Sequence, residues 1–169
     1  GKIIGPAVAV ESFEVIGDFQ PFVAAIDAAI ATEERRRTVT STVSHLIGAQ
    51  AAKGGIKRKD DAEAVRWAAF AVELARNVGV FAYALRHLLH LLCNPAEGIP
   101  AAAQPAIGEA GRKLLGHALE PGRPADGSLV RVGLESVARS FASDPGASGA
   151  VLRRMLESGR VARYGHSEL

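Results

Sequence analysis

Apolar side chains recur along much of this chain at intervals of three and four residues, which is the spacing of one face of an α-helix. The pattern is strongest in residues 61–76, where apolar positions cover about half of the helical surface. A face that wide is typical of a central helix that contacts several neighbours. Residues 78–93 carry a second apolar face and predict either a separate helix, broken off at Asn77 and Gly79, or a continuation of the first.

Proline and glycine mark the turns between the later segments. The run NPAEGIP, residues 94–100, predicts a turn, after which a helix with Pro105 in its first turns extends to about Leu119. PGRPADGS predicts a loop, and residues 129–142 return to helical spacing. SDPGASG predicts another loop, which is followed by a short last helix.

The whole pattern predicts an all-α fold of six or seven helices, packed as a bundle or as a short right-handed solenoid of HEAT type. Residues 1–17 alternate weakly between apolar and polar positions and predict an extended N-terminal arm. Residues 18–159 are expected to form a single helical domain, followed by a polar C-terminal tail in residues 160–169.

The composition agrees with a helical protein and limits the kinds of partner. Hydrophobic residues make up 48% of the chain and aromatic residues only 5%, while alanine, the strongest helix former, is abundant. The net charge of +2 is far from that of a polycation that coats nucleic acid. A single cysteine excludes an internal disulfide, which favours an intracellular, cytoplasmic protein. The most apolar stretch is shorter than the roughly 20 residues of a membrane span.

Two histidines and the only cysteine follow each other at three-residue steps in the stretch RHLLHLLC. On a straight helix His87 and Cys93 are about 120° and about 9 Å apart, so one zinc ion does not easily bind both and His90 as well. Two of them could join ligands from elsewhere, and Cys93 beside His90 could form a nucleophile–base pair. The favoured interpretation is a polar helix face shared with Tyr83 and Arg86, so no metal or cofactor is predicted.

Three basic clusters are candidates for contact with nucleic acid. They are Arg35, Arg36 and Arg37; Lys57, Arg58 and Lys59; and the C-terminal group Arg153, Arg154, Arg160 and Arg163. Acidic residues adjoin the first two clusters and cancel much of their field, which indicates a solvated surface of mixed charge. A helix-turn-helix in residues 61–93 is disfavoured, because its second helix is dominated by leucine.

No recognisable catalytic constellation accompanies these features. The sequence lacks a phosphate-binding loop, the GxSxG and HExxH motifs and a calcium loop. Its glutamates do not form the Glu-x-x-His pairs of di-iron bundles. Ser44 and His45 are adjacent on a helix and therefore point about 100° apart. The pattern leans against an enzyme.

The best-supported expectation is a non-catalytic helical module that binds protein, as a scaffold domain, a subunit of a larger assembly or a homo-oligomer. The broad apolar faces of residues 61–93 and the apolar arm favour it. Trp67 on the broad face and Phe13 in the arm are candidate anchors, although core packing is the commoner role at the position of Trp67. The alternatives are an accessory nucleic-acid-binding domain that uses the basic clusters, and a small metal-binding bundle or enzyme that uses His87 and His90, with or without Cys93.

Overall fold

The computed structural model of the chain describes residues 37, 40–45, 47–48, 61–93, 98–124 and 126–159. The chain divides into two compact units, Gly1–Lys57 and Arg58–Leu169. In the first unit the described residues from 40 to 48 are helical, and Val43 and Ile47 are buried. The predicted N-terminal arm and the predicted C-terminal tail lie outside the described residues, so their boundaries stay predictions.

Five α-helices have described bounds in the second unit. They are α1 (Asp61–Ala75), α2 (Val78–Leu92), α3 (Gln104–Ala118), α4 (Gly127–Arg139) and α5 (Pro145–Glu157). Short 3-10 turns at Ala101–Ala103 and Phe141–Ser143 precede α3 and α5. The described residues contain helices and turns but no strand, so the predicted all-α fold is confirmed. Within this part of the chain, no helix has the length and apolar character that crossing a membrane requires.

The five helices pack as stacked hairpins. α1 and α2 form one hairpin around the turn at Arg76 and Asn77, and α3 and α4 form the next. α1 packs beside α3 and α2 beside α4, whereas α1 and α4 share no extensive contact among the described residues. In a closed up-and-down ring α1 and α4 would be neighbours, so these helices follow the solenoid-like alternative. α5 extends the stack by packing against α3, and the right-handed sense stays a prediction.

The apolar core of this unit lies among α1, α2 and α3. Its largest fully buried side chains are Trp67, Phe70, Leu74, Leu85, Leu88, Leu89, Leu92, Ile107, Leu114 and Leu115. α5 contributes less, since its buried apolar side chains are Val151 and Met155. The outer surface of α5 is therefore largely open to solvent.

Small residues bring α3 and α4 close together. A Cβ atom at Gly111 would lie 2.5 Å from the Cβ of Ser136, and one at Gly133 would lie 3.0 Å from the Cβ of Leu115. Both positions therefore need glycine if the helices are to keep this spacing. The buried hydroxyls of Ser136 and Ser140 donate to carbonyl oxygens one turn earlier in the same chain segment, so these polar groups are satisfied inside the contact.

The turns between helices agree only partly with the sequence pattern. α1 and α2 are separated at Asn77, which confirms one of the two predicted arrangements. The predicted loop SDPGASG is wrong over most of its length, because α5 already begins at Pro145. Asp144 accepts a hydrogen bond from the backbone N–H of Ala147 at 3.0 Å, and Pro145 takes the first helical position, where a backbone N–H would have no partner in the helix.

Asp126 connects the start of α4 to α2. Its side chain accepts hydrogen bonds from the backbone N–H groups of Ser128 and Leu129 at 3.0 and 3.3 Å and so caps the helix. The hydroxyl of Tyr83, a residue that is 60% exposed, donates to the same carboxylate at 2.7 Å. The hydrogen bond from the Ser128 hydroxyl, followed by that from Tyr83, lowers the pKa of Asp126.

Replacing Asp126 with alanine is expected to reduce the free energy of unfolding by about 1–2 kcal/mol, because the cap and the link to Tyr83 are both lost. Asp126→Asn should keep most of the cap, and Tyr83→Phe should lose only the link between helices, so both should cost less.

Because the folded chain holds the pKa of Asp126 below its usual 3.8, the carboxylate's contribution is present at neutral pH and is lost as the pH falls through that lower value. Urea denaturation followed by circular dichroism measures these differences, and equal stability of wild type and Asp126→Ala would contradict the cap.

Candidate functional site

The histidines of RHLLHLLC lie on the polar side of α2, whereas its cysteine is buried. His90 is exposed, His87 is half-buried, and Cys93 is only 1% exposed at the end of the helix. The Cys93 sulfur lies 3.6 Å from the hydroxyl of Ser136 on α4. A thiol so far from solvent does not meet a substrate in this conformation. Among the residues that the structure describes, no three His, Cys, Asp or Glu side chains are grouped so that they could hold a metal ion.

Trp67 is fully buried in α1. Its indole N–H donates to the Glu63 carboxylate at 2.9 Å, and its ring meets Phe70 edge-on at a centroid distance of 5.8 Å. Glu63 also pairs with Arg66 at 2.7 Å, so one carboxylate bridges the indole and a guanidinium. These are the contacts of a core residue, and Trp67 could anchor a partner only if the helices around it moved apart. Phe13 lies outside the described residues, and its role stays a prediction.

Most members of the predicted basic clusters lie outside the described residues. These are Arg35, Arg36, Lys57, Arg58, Lys59, Arg160 and Arg163. Arg37 is exposed and helical in the first unit, and Arg153 and Arg154 are exposed on α5. Arg154 also lines a groove that involves α3.

This groove, here called the α3–α5 groove, is the candidate functional site. Its first hollow, about 470 Å³, is lined by Glu109, Arg112, Lys113, Gly116, Ala147, Ala150, Val151 and Arg154. Its second hollow, about 510 Å³, is lined by residues 75–79 of the α1–α2 turn together with Lys113, Gly116, His117, Glu120 and Arg154. Both hollows are open to solvent, and because they share Lys113, Gly116 and Arg154 they join into one continuous groove.

Helical periodicity places the lining residues on facing sides of two helices. On α3 and just beyond it these are Glu109, Lys113, Gly116 and Glu120, and on α5 they are Ala147, Ala150, Val151 and Arg154, all at steps of one, three or four residues. A Cβ atom at position 116 would meet nothing closer than the Arg154 guanidinium at 3.9 Å. Gly116 therefore leaves open space where the two hollows join.

The two cations Lys113 and Arg154 lie where the hollows meet, whereas each end of the groove carries one acid and one arginine, Glu109 with Arg112 and Glu120 with Arg76. Lys113 is half-exposed and pairs with Glu109 at 3.6 Å. At the other end Glu120 pairs with Arg123 at 2.7 Å, and this hydrogen bond is the largest of the effects that lower the pKa of Glu120. The side chain of Arg154 is exposed and makes no ion pair or hydrogen bond among the described residues. Its guanidinium is always charged, so it is available to an acidic group.

Arg112 lines the groove but serves mainly to hold α5 against α3. Its side chain is 18% exposed, and its guanidinium donates to the Ser148 hydroxyl at 3.5 Å and lies 3.9 Å from the Asp144 carboxylate. Asp144 caps the start of α5, and Ser148 lies in its first turn. The contacts of Arg112 therefore fix the wall of the groove.

His117 adds no charge to the groove at neutral pH. Burial lowers its pKa most, the positive charge of Arg123 lowers it further, and Glu120 acts weakly in the opposite direction. The pKa of His87 on α2 is also lowered, first by burial and then by Arg86 and His90. Both imidazoles therefore take up a proton less readily in the folded chain than in the unfolded one.

The free energy of unfolding is expected to fall as the pH is lowered from neutral to about 5.5. In this range the unfolded chain binds more protons, because the folded pKa values of His87 and His117 lie below the ordinary 6.5. His117→Gln and His87→Gln should each flatten this pH dependence, and the double variant should flatten it most. Urea denaturation at several pH values gives the slopes. A double variant with the wild-type slope would show that other groups cause the change.

Sequence reasoning did not identify the α3 side of this groove. The signal present in the sequence is the run EAGRKLLGHALE, in which Glu109, Lys113, Gly116 and Glu120 share one helix face with a glycine between charged positions. The α5 side was hidden by the prediction of a loop over SDPGASG, which removed Ala147 from the helix.

No family model matches the chain, and no curated protein or solved structure is significantly similar to it.

Proposed function

We propose that this chain is a non-catalytic interaction module and that its α3–α5 groove docks a short segment of another protein. The observation that carries the proposal is the joining of two open hollows at Lys113, Gly116 and Arg154. Side chains of α3 and α5 line both walls, and Arg112 holds the two helices together through Asp144 and Ser148.

The groove has the dimensions and surface that suit a peptide segment. Its α3 side, from Glu109 to Glu120, extends over about 16 Å, which is roughly three turns of a helix. Small residues of α5, such as Ala147 and Ala150, let a partner's side chains approach the wall. Docking of a short segment in a surface groove is a common mode of peptide recognition.

The features of the groove favour protein over nucleic acid as the partner. A phosphate backbone carries uniform negative charge and is bound by rows of cations. Glu109 and Glu120 line the same groove, so its surface is of mixed charge and is not a row of cations. The nucleic-acid alternative rests on basic residues that lie mostly outside the described part of the chain. Cys93 is buried and is the only cysteine, so the chain forms no internal disulfide, which is compatible with the reducing interior of a cell, where we place this module.

Peptide selection with a groove-filled variant tests this proposal. A displayed library of peptides of about 16 residues, long enough for about 24 Å of helix, is selected on the full chain. Bound clones are measured again on Gly116→Leu, which fills the junction, and on Gly149→Leu. Gly149 has open space around it and lies about 150° around α5 from the groove-lining residues, so it is a matched glycine-to-leucine control.

Clones that use the groove are expected to bind Gly149→Leu like wild type and to lose about tenfold or more in affinity for Gly116→Leu, which is about 1.4 kcal/mol. Clones that bind both variants equally well would place the docking surface elsewhere. A selection without enriched clones would argue against a peptide-docking module altogether.

A further inference from the structure

We infer that the segment bound by the α3–α5 groove is acidic at its centre and non-acidic at both ends. This inference rests on the proposed function and specifies the chemistry of the partner. It follows from the charges along the groove, in which Lys113 and Arg154 occupy the shared middle and Glu109 and Glu120 lie towards opposite ends. Two further cations line single hollows, but Arg112 is paired with Asp144 and Arg76 with Glu73.

The two central cations are available to a ligand. The side chain of Arg154 is exposed and has no ionic or hydrogen-bonding partner among the described residues. Lys113 has 44% of its side chain exposed, and its contact with Glu109 is long, at 3.6 Å. Exposed pairs of this kind contribute little to stability, so a partner carboxylate can compete for Lys113.

The open junction brings both cations within reach of the same group. Gly116 has no side chain to fill the space beside the Arg154 guanidinium, which lies 3.9 Å from the position that a Cβ would take. Lys113 and Gly116 are three residues apart on α3 and therefore neighbours on its surface. A carboxylate placed above Gly116 would thus lie between a lysine and an arginine.

The ends of the groove select against further acidic residues. The side chains of Glu109 and Glu120 are 46% and 50% exposed, so their charges face an incoming segment. The hydrogen bond with Arg123 is the largest of the effects that lower the pKa of Glu120. Like charges placed opposite one another are unfavourable, so partner residues at these two ends are expected to be neutral or basic.

The composition of the peptides selected above tests the inference separately from the proposed function. Among clones that lose affinity for Gly116→Leu, Asp and Glu should be enriched at central positions and depleted at both ends. Groove-dependent clones with neutral or basic centres would overturn the acidic-centre inference while leaving the docking function intact. An absence of groove-dependent clones would overturn the docking function itself.

Charge removal on the protein provides the second measurement. The double variant Lys113→Gln, Arg154→Gln is expected to weaken binding of an acidic-centred clone about tenfold, and the loss should shrink at high salt. The double variant Arg131→Gln, Arg153→Gln is the matched control, since it also removes two positive charges and both arginines are exposed but do not line the groove. An equal loss in both variants would contradict specific recognition.

Competition with a duplex DNA of about 20 base pairs tests the nucleic-acid alternative. If the DNA displaced the peptide and its affinity fell more than that of the peptide in the variant without Lys113 and Arg154, the groove would be assigned to nucleic acid instead.

Discussion

Replacing Trp67 with alanine is expected to reduce the free energy of unfolding by about 3–5 kcal/mol. The side chain is fully buried, so the substitution removes a large apolar surface from the core and leaves a cavity. It also leaves the Glu63 carboxylate without the indole N–H that donates to it at 2.9 Å. Trp67→Phe is expected to cost less, because it keeps most of the apolar volume and loses mainly the hydrogen bond.

Urea denaturation followed by circular dichroism measures both variants on the same scale as the wild type. Since Trp67 is the only tryptophan, its fluorescence also reports directly on its surroundings. The folded chain should emit at short wavelength and resist quenching by acrylamide. If Trp67→Ala kept wild-type stability but lost binding of a protein partner, Trp67 would be an exposed anchor and its place in the core would be wrong.

Replacing Gly111 with alanine is expected to reduce the free energy of unfolding by about 1–2 kcal/mol, which is the cost of overpacking less the gain in helix propensity. The new Cβ atom would lie 2.5 Å from the Cβ of Ser136, which cannot rotate away because it is attached directly to the backbone. Relief requires α3 and α4 to move apart, and overpacking of this kind costs about 1–3 kcal/mol or somewhat more. The higher helix propensity of alanine offsets up to about 1 kcal/mol of this cost.

Gly116→Ala is the matched control for Gly111→Ala, because it makes the same substitution in the same helix. A Cβ atom at position 116 would have only an ordinary contact, at 3.9 Å with Arg154. This variant is therefore expected to gain about 0.5–1 kcal/mol in stability from helix propensity. Opposite signs for the two variants in urea denaturation would agree with the close approach of α3 and α4, whereas a gain at both positions would contradict it.

The parts of the fold that were predictable from sequence depend on neighbours within one helix. The apolar spacing of residues 61–93 predicted the buried faces of α1 and α2, and Asn77 was a candidate break that the structure confirms. The sequence pattern did not predict the start of α5, because the serine, proline and glycine residues of the run SDPGASG are typical of a loop. Asp144 and Pro145 satisfy the first turn of a helix, and this local signal was decisive.

The groove could not be predicted from the sequence in the same way, because it depends on which helices pack together. Lys113 and Arg154 share a hollow only because α3 packs against both α5 and α1, and spacing along the chain carries no information about that choice. The stacking of hairpins was also left open by the pattern, since a bundle and a solenoid have the same apolar periodicity. In the structure α1 lies beside α3, and this placement brings the α1–α2 turn to the end of the groove.

Nuclear magnetic resonance tests directly whether a peptide docks in the α3–α5 groove. Amide correlation spectra of the full chain are recorded with and without an enriched peptide from the selection. The largest amide shifts are expected at Lys113, Gly116 and His117 on α3 and around Val151 and Arg154 on α5. Shifts confined to the polar face of α2, with none along the α3–α5 groove, would contradict it.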